Sequence, residues 1–267
     1  MILYPRSKRS IVSRLEITQS FIDQARTTQA EADLFRLMEE ITVEIGFDFF
    51  ALVNHVDLRC PSHNVIHLEN YPDSWAQCFV EESLYAHDPI IHACLTTNLG
   101  FEWAEVPRMI AMTTRQRSIL ENAARHGIGD GFTVPANIPG ESSGSCSFAM
   151  RRGHRPPVRN LLLAQLIGAF AFQAARRLNG LGSMSQKRPR HLTPRQRDCL
   201  IWAIRGKTDW EIGRILGLSE ETVSQHLDMA RGRYGVTKRL PLAVHAIFDG
   251  QISFVEALSW QFPPKRE

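Results

Sequence analysis

Side chains able to recognise a small polar molecule recur between residues 70 and 103. They are Tyr71, Trp75, Phe79, Asp88 and Trp103. The first three are four residues apart, so on one helix their rings would lie along one side. An indole N–H can only donate a hydrogen bond, and a carboxylate can only accept one. The set therefore suits either a hydrogen-bonding pocket or a plain aromatic core, and the helical spacing by itself favours the core.

Catalytic chemistry is not indicated by the sequence. The glycines at 127, 129 and 131 are spaced G-x-G-x-G, which is not a dinucleotide-binding fingerprint. His126 and Asp130 are close in sequence, but neither Ser/His/Asp spacing nor metal-ligand spacing accompanies them. Five cysteines without a CxxC pair are typical of free thiols in a reducing cytoplasm. We predict a protein that is not an enzyme and has no catalytic residue, metal or cofactor.

The predicted helices and strands that hold these side chains do not follow a regular alternation. Periodicity predicts helices over residues 13–27, 30–45, 72–84, 89–97, 114–126 and 157–178. Runs of β-branched and aromatic residues predict strands over 47–54, 64–68, 131–137 and 145–151, with Glu102 and Trp103 in a loop or short turn. Helices before and after hairpin-connected strands predict an α+β domain at residues 12–178, an α/β/α sandwich with an antiparallel sheet.

A second domain is predicted at residues 191–250, where punctuation divides the chain into four short helices. The punctuating residues are Thr193, Pro194, Gly206, Gly217 and Ser219. Asp209 is placed to cap the second helix, whose apolar stripe is Ile212, Ile215 and Leu216. Two short helices joined by a glycine-containing turn are typical of a helix-turn-helix, whose second helix enters the DNA major groove. We predict an all-α DNA-binding domain.

Charge separates the same two parts of the chain. Residues 187–239 hold twelve Lys and Arg against six Asp and Glu, whereas residues 1–186 hold 17 basic and 19 acidic residues. A basic module suits contact with DNA phosphates. Residues 179–190, rich in glycine, serine and basic residues, are predicted to be a flexible linker, and residues 251–267 a C-terminal tail.

The order of these residues resembles that of LuxR-type transcription regulators in quorum sensing. The C-terminal matches include Gly206-Lys207-Thr208, Glu211-Ile212, Ser219-Glu220, Thr222-Val223 and His226-Leu227. The N-terminal matches include Tyr71-Pro72, Trp75, Asp88-Pro89, Trp103 and residues 131–135. The resemblance implies a regulator that binds an N-acyl-homoserine lactone in its N-terminal domain and promoter DNA through its C-terminal domain. The alternative is a member that responds to a different small apolar ligand or to none.

The resemblance also implies a role for each pocket residue. Trp75 would donate its indole N–H to the lactone carbonyl, and Asp88 would accept the amide N–H. Asp88 also has a structural alternative, as a helix-start residue bonded to backbone N–H groups. The acyl carbonyl would meet Tyr71 and Ser147, and the cavity would be shaped by Phe79, Trp103 and Thr133. Phe79 stands where many members have tyrosine, which makes the wall beside the head group more apolar.

On the DNA side, the resemblance places residues 220–232 in the major groove. Outward residues facing base edges or phosphates would be Glu221, Ser224, Gln225 and Asp228. Val223 and Leu227 would point inward against the helix that holds Ile212 and Ile215. Phosphates would be bound by Lys207, Arg231 and Arg233, which have no obvious pairing partner in the sequence. Thr208 and Thr222 complete the predicted set. The chain departs from the family at Ser224, where a basic residue is frequent, and at Gln196, where glutamate is common and its loss would weaken a local ion pair.

Partners follow from the size of this DNA-binding module. Tight site-specific binding requires a dimer that reads two half-sites. We predict a homodimer formed partly through residues 157–178, whose apolar residues exceed the needs of one buried face, and contact with RNA polymerase if the protein is an activator. The first residues lack an apolar signal region and the most apolar run, 161–172, is short, so we predict a cytoplasmic protein without a membrane partner. A response regulator is the main rival, but residues 1–178 lack the carboxylates and lysine of a phosphate-accepting receiver domain.

Overall fold

The computed structural model describes residues 7–56, 65–138, 141–181 and 191–258. The chain divides into two compact units, residues 1–184 and 185–267. Most of the predicted linker, residues 182–190, lies outside the described residues, as does Cys60. The other four cysteines are free thiols.

The first unit is built on one antiparallel sheet. Its strands are β1 (Phe49–Asn54), β2 (His67–Glu69), β3 (Phe101–Glu102), β4 (Ile128–Ala136) and β5 (Gly144–Arg151). Their order across the sheet is β2-β1-β5-β4-β3. The predicted α/β/α sandwich with an antiparallel sheet, followed by an all-α domain, is confirmed. The prediction for Glu102 was wrong, because it pairs with Phe132 in the edge strand β3. A two-residue strand is too short to show an alternating pattern.

Helices cover both faces of this sheet. They are α1 (Ser7–Thr27), α2 (Glu31–Glu44), α3 (Asp73–Glu81), α4 (Pro89–Cys94), α5 (Val106–Met109), α6 (Thr114–Arg125) and α7 (Leu161–Leu178). Alternate residues of a strand point to opposite faces. Phe50, Leu52 and Phe148 accordingly join the large core formed with α1, α2 and α7. Ala149 belongs to a smaller core on the other face, with residues of α3 and α6.

Helix α7 is the long apolar helix of the unit. Residues 158–178 are long and apolar enough to cross a membrane. One face of this stretch, less than half of it, is buried in the core of the first unit. Gly168 lies against the sheet, where an added Cβ would come within 2.9 Å of the Val134 side chain. On the outward side, Leu162 is 81% exposed and Leu166 is also exposed, as is Val158 just before the helix. The helix therefore has one face in the core and a second apolar stripe outside it.

Within residues 191–258, the second unit has five helices around its own core. They are α8 (Pro194–Ile204), α9 (Asp209–Leu216), α10 (Glu220–Tyr234), α11 (Arg239–Phe248) and α12 (Phe254–Leu258). The core is formed by buried residues from all five, among them Leu200, Ile212, Val223, Leu227, Leu242 and Ala257. The last of these comes from α12, so residues beyond 250 pack on the predicted helix-turn-helix. Arg197 of α8 also forms an ion pair with Glu256 of α12.

Two predictions about α9 were wrong. Thr208, not Asp209, caps the helix: its hydroxyl accepts the Glu211 N–H at 3.3 Å, and the Glu211 carboxylate accepts the Thr208 N–H at 2.9 Å. This reciprocal box needs glutamate three residues after the cap, which only the Thr208 register provides. Ile215 is exposed rather than buried. The buried face centres on Ile212 and Gly213, which leaves Ile215 about 100° round the helix.

Candidate functional site

A cavity lies between the sheet of the first unit and helices α3, α4 and α6. Its volume is about 90 Å³, several times the roughly 10–15 Å³ that one water needs on this scale. Six of the seven predicted ligand-binding residues line it: Tyr71, Trp75, Phe79, Asp88, Trp103 and Ser147. These residues come from four separate segments of the chain, around residues 71–79, 88, 103 and 147. The tertiary fold therefore forms a pocket here, and the side chains are not simply packed into an aromatic core.

Thr133 does not line the cavity, which corrects the prediction for this residue. It is fully buried in β4, behind the wall. Its hydroxyl accepts the indole N–H of Trp103 at 2.8 Å and lies 2.8 Å from the Ser147 hydroxyl. Thr133 therefore fixes the orientation of two residues that do reach the cavity. Because the Trp103 N–H is already bonded, this ring offers the cavity mainly its apolar faces.

Close packing of the sheet explains how Trp103 reaches this position. An added Cβ at Gly131 would come 2.7 Å from the Trp103 ring and 2.7 Å from the Phe148 carbonyl oxygen. Real Cβ contacts are not that short, so only glycine allows the indole to lie flat against β4. The glycine at 131 is thus required by the pocket wall.

Asp88 caps a helix and also faces the cavity. Its Oδ1 accepts the backbone N–H of Ile90 at 2.7 Å and so caps α4. The same side chain lines the cavity. Burial raises the pKa of Asp88 to about 6, although the backbone N–H groups of Ile90 and Ile91 act in the opposite direction. The carboxylate is therefore poorly solvated, and a ligand N–H that reached it would form a strong bond.

Trp75 is the other polar anchor of the predicted site. It is buried, and its ring packs 5.6 Å from the Phe79 ring and 5.8 Å from the His126 ring, measured between centroids. Beside it, burial raises the pKa of the Tyr71 hydroxyl well above its ordinary value, and the carboxylates of Glu69 and Asp88 raise it further. The phenol therefore stays protonated and can donate to a ligand carbonyl.

Five polar wall residues were not predicted: Asn54, His67, Glu69, Tyr85 and Ser145. Strand alternation could have identified Ser145, since it shares a sheet face with Ser147. Glu69 and His67 lie in a three-residue strand that is too short for its facing to be read from the sequence. The His126–Asp130 pair considered for catalysis is not formed, because His126 bonds Ser74 and Asp130 bonds the Gly131 N–H. Among the residues the structure describes, no group of His, Cys, Asp or Glu could hold a metal ion.

The predicted DNA-binding helix is α10, and its inward face is as expected. Val223 and Leu227 are buried, Ser224 is half-buried, and the remaining outward positions are exposed: Glu221, Gln225 and Asp228. Ser219 caps the helix through the Thr222 N–H at 3.1 Å, and the two hydroxyls are 2.8 Å apart. The hydroxyl of Thr222 therefore already has a hydrogen-bond partner within the protein. The exposed polar side chains of the outward face are those of Glu221, Gln225 and Asp228.

The expectation that three cations lack intramolecular partners was wrong. Lys207 Nζ lies 2.9 Å from the Glu211 carboxylate, Arg231 pairs with Asp228, and Arg233 donates to the His191 carbonyl at 2.9 Å. Arg231 and Asp228 are three residues apart on α10, where helical geometry brings them together, and Lys207 reaches Glu211 across the start of α9. Exposed pairs of this kind are weak, about 0–1 kcal/mol, so a phosphate can displace the carboxylate.

Gln196 has a structural role despite its departure from the family pattern. It is buried, and its side-chain oxygen accepts the Thr193 N–H at 3.1 Å while the Thr193 hydroxyl accepts the Gln196 N–H. An amide oxygen completes this capping box as a carboxylate does. The expected local weakening at the start of α8 is therefore offset.

Comparisons with known proteins match two separate stretches of the chain. Residues 30–178 match the family described as autoinducer binding domain, and residues 190–246 match bacterial regulatory proteins, luxR family. The transcriptional activator protein LuxR of Aliivibrio fischeri is 25% identical over 88% of this chain and 94% of its own length. A crystal structure of Escherichia coli SdiA superposes with a TM-score of 0.57 at 21% identity, over 90% of this chain and 99% of that one. A structure of SdiA with octanoyl-rac-glycerol has a TM-score of 0.55 at 20% identity, over 92% of this chain and 97% of that one.

Proposed function

The chain belongs to the LuxR family of bacterial transcription regulators and carries an autoinducer-binding domain, and we propose that its ligand is an N-acyl-homoserine lactone. Its family consists of regulators and not enzymes, in agreement with the prediction. In the proposed function, the lactone binds in the cavity of the first unit. The second unit then recognises promoter DNA.

One observation carries the ligand proposal: a donor-only side chain and an acceptor-only side chain line the same apolar cavity. Trp75 supplies the indole N–H for the lactone carbonyl, and Asp88 supplies the carboxylate for the amide N–H. Tyr71 and Ser147 supply hydroxyls for the acyl carbonyl. Each polar group of the ligand then has a partner, which matters because an unpaired buried group costs about 1–3 kcal/mol. The acyl chain lies against the apolar part of the wall.

The alternative within the family is a different acylated ligand. The solved SdiA structure that holds octanoyl-rac-glycerol shows a ligand of this kind in that protein. Such a molecule has hydroxyls and an ester but no N–H, so it would leave Asp88 to bond a hydroxyl instead. Direct binding distinguishes the two.

A thermal-shift titration of the full chain tests the lactone proposal. Ligand that binds only the folded state stabilises it by about 2.7 kcal/mol at one hundred times its Kd. We expect acyl-homoserine lactones to raise the melting temperature, and homoserine lactone without an acyl chain to have little effect. Stabilisation by octanoylglycerol but by no lactone, at any chain length, would contradict the proposal.

The DNA proposal places α10 in the major groove. Gln225 is exposed near the start of the helix, on the outward face, and an amide side chain can contact a base through two hydrogen bonds. Lys207 lies before α9, beside the cap residue Thr208, where its charge can meet a phosphate once the pair with Glu211 opens. Arg231 and Arg233, in the last turn of α10, are proposed to bind phosphates in the same way.

Gln225→Ala is expected to change which DNA sequence is preferred. Loss of a bidentate base contact removes about 1–3 kcal/mol of discrimination at one base pair. The control is Lys207→Ala, which should weaken binding to all sequences alike and lower the salt slope by about one. Fluorescence anisotropy on a palindromic and a scrambled duplex, across a salt series, measures both. An unchanged ratio between the two duplexes for Gln225→Ala would show that another face of α10 meets the bases.

A homodimer completes the proposed regulator. Leu162 and Leu166 of α7, with Val158 just before the helix, form an exposed apolar surface that a second copy could cover. Two DNA-binding units would then read two half-sites, as their small size requires. The protein would act in the cytoplasm, with RNA polymerase as a further partner if it activates transcription.

A further inference from the structure

The cavity wall contains a second carboxylate, Glu69, in addition to Asp88. Glu69 ends β2, and the sheet register places it beside Ala51, which in turn lies beside Ser147. Two strand spacings, about 10 Å, therefore separate the Cα atoms of Glu69 and Ser147. Both carboxylates act on the Tyr71 hydroxyl, whose pKa each of them raises. Glu69 thus lies close to the position where the acyl carbonyl of the ligand is proposed to bind.

The carboxylate of Glu69 has few stabilising contacts within the protein. Its side chain is only 20% exposed, and burial raises the pKa of its carboxyl although His67 opposes this shift. In the part of the chain that the structure describes, the Glu69 carboxylate pairs with His67, whose Nε2 lies 3.5 Å from its nearer oxygen. That separation exceeds the usual range of a hydrogen bond. His67 is also 39% exposed, which weakens the pair further.

The Glu69 carboxylate needs a hydrogen-bond donor from the ligand. A carboxylate only accepts hydrogen bonds. A lactone with an unsubstituted acyl chain has a single N–H, and in the proposed function Asp88 accepts it. Such a ligand would cover Glu69 with methylene groups and leave a carboxylate facing apolar surface, which is costly. A second donor on the ligand removes this cost.

We propose that the natural ligand carries a hydroxyl on its acyl chain, close to the amide, and donates it to Glu69. The inference rests on the lactone function proposed above and specifies its ligand class. Ala51 lies between Ser147 and Glu69 in the sheet, and all three residues line the cavity, so only a small side chain stands between the two polar groups. A hydroxyl at the third acyl carbon satisfies the carboxylate, whereas a ketone there only accepts and would face another acceptor.

The test uses three homoserine lactones of equal chain length, with a 3-hydroxy, a 3-oxo or an unsubstituted acyl group. We expect the full chain to bind the 3-hydroxy compound at least about tenfold more tightly than the 3-oxo compound. Glu69→Gln keeps the size of the side chain but adds donors. It should reduce or reverse that preference. Isothermal titration calorimetry gives the three affinities for each protein.

Glu44→Gln is the matched control, because it makes the same change at an exposed glutamate of α2 that is not part of the cavity wall. It should keep the wild-type ranking of the three lactones. Binding of the unsubstituted lactone checks that each variant retains its pocket. Equal wild-type affinity for all three compounds, or equal changes in ranking for both variants, would overturn the role of Glu69 and leave the lactone function standing. Failure of all three to bind the wild type would overturn both proposals.

Discussion

Asp88→Asn is expected to lower lactone affinity by about 10- to 100-fold, because a hydrogen bond to a charged group contributes about 1.5–3 kcal/mol. Asp88 uses one carboxylate oxygen to cap α4 at the Ile90 N–H. Asparagine has one oxygen only. If that oxygen keeps the cap, the variant presents an NH₂ group to the ligand N–H, and two donors then face each other.

The folded state should tolerate this change. The pKa of Asp88 is raised from its ordinary value of 3.8 to about 6 by burial. A raised folded-state pKa means that the contribution of this group to stability is present below pH 4 and is lost as the pH rises through 6. Asparagine is neutral at every pH and retains the cap. The unliganded variant should therefore be at least as stable as the wild type at pH 7.

Melting curves with and without lactone at pH 5 and pH 7.5 separate the two effects. For the wild type, lactone affinity should fall as the pH drops below about 6, because the ligand N–H needs the ionised carboxylate. Asp88→Asn should show weak binding at both pH values. If the variant bound lactone as the wild type does, Asp88 would be a capping residue alone.

Leu227→Ala is expected to destabilise the second unit by about 2–5 kcal/mol, which for a small unit is enough to abolish DNA binding. Leu227 is 1% exposed and lies in the core with Val223, Ile212 and Leu200. Truncation leaves a cavity that helices fixed by short turns cannot fill. The first unit has its own core, so lactone binding should persist.

Met229→Ala is the control on the same helix. Its side chain is 51% exposed, so removing it should change the free energy of unfolding by less than about 0.5 kcal/mol. Urea unfolding followed by tryptophan fluorescence and DNA binding by anisotropy compare the two variants. Loss of both lactone and DNA binding in Leu227→Ala would show that the two units do not fold independently.

Local patterns were sufficient for much of the fold. Periods of 3.6 and 2 residues, together with hydroxyl caps and glycines, predicted most helices and strands, because these signals arise within one element. The family resemblance added the prediction that Val223 and Leu227 point inward, and both are buried. Thr208 and Asp209 were both possible caps for α9. The two reciprocal hydrogen bonds with Glu211 make Thr208 the cap, and a choice by residue type alone did not take these bonds into account.

By itself, the sequence determined the family, the division into two parts and six of the residues that line the cavity, since each depends on ordered residues at fixed spacing. Only the tertiary structure decided which side chains reach the cavity. It placed Thr133 behind the wall as a support for Trp103 and Ser147, and it brought Glu69 into the wall. The physical reason is that strand pairing joins segments far apart in the chain. Which atoms meet across a sheet depends on a register that no single segment encodes.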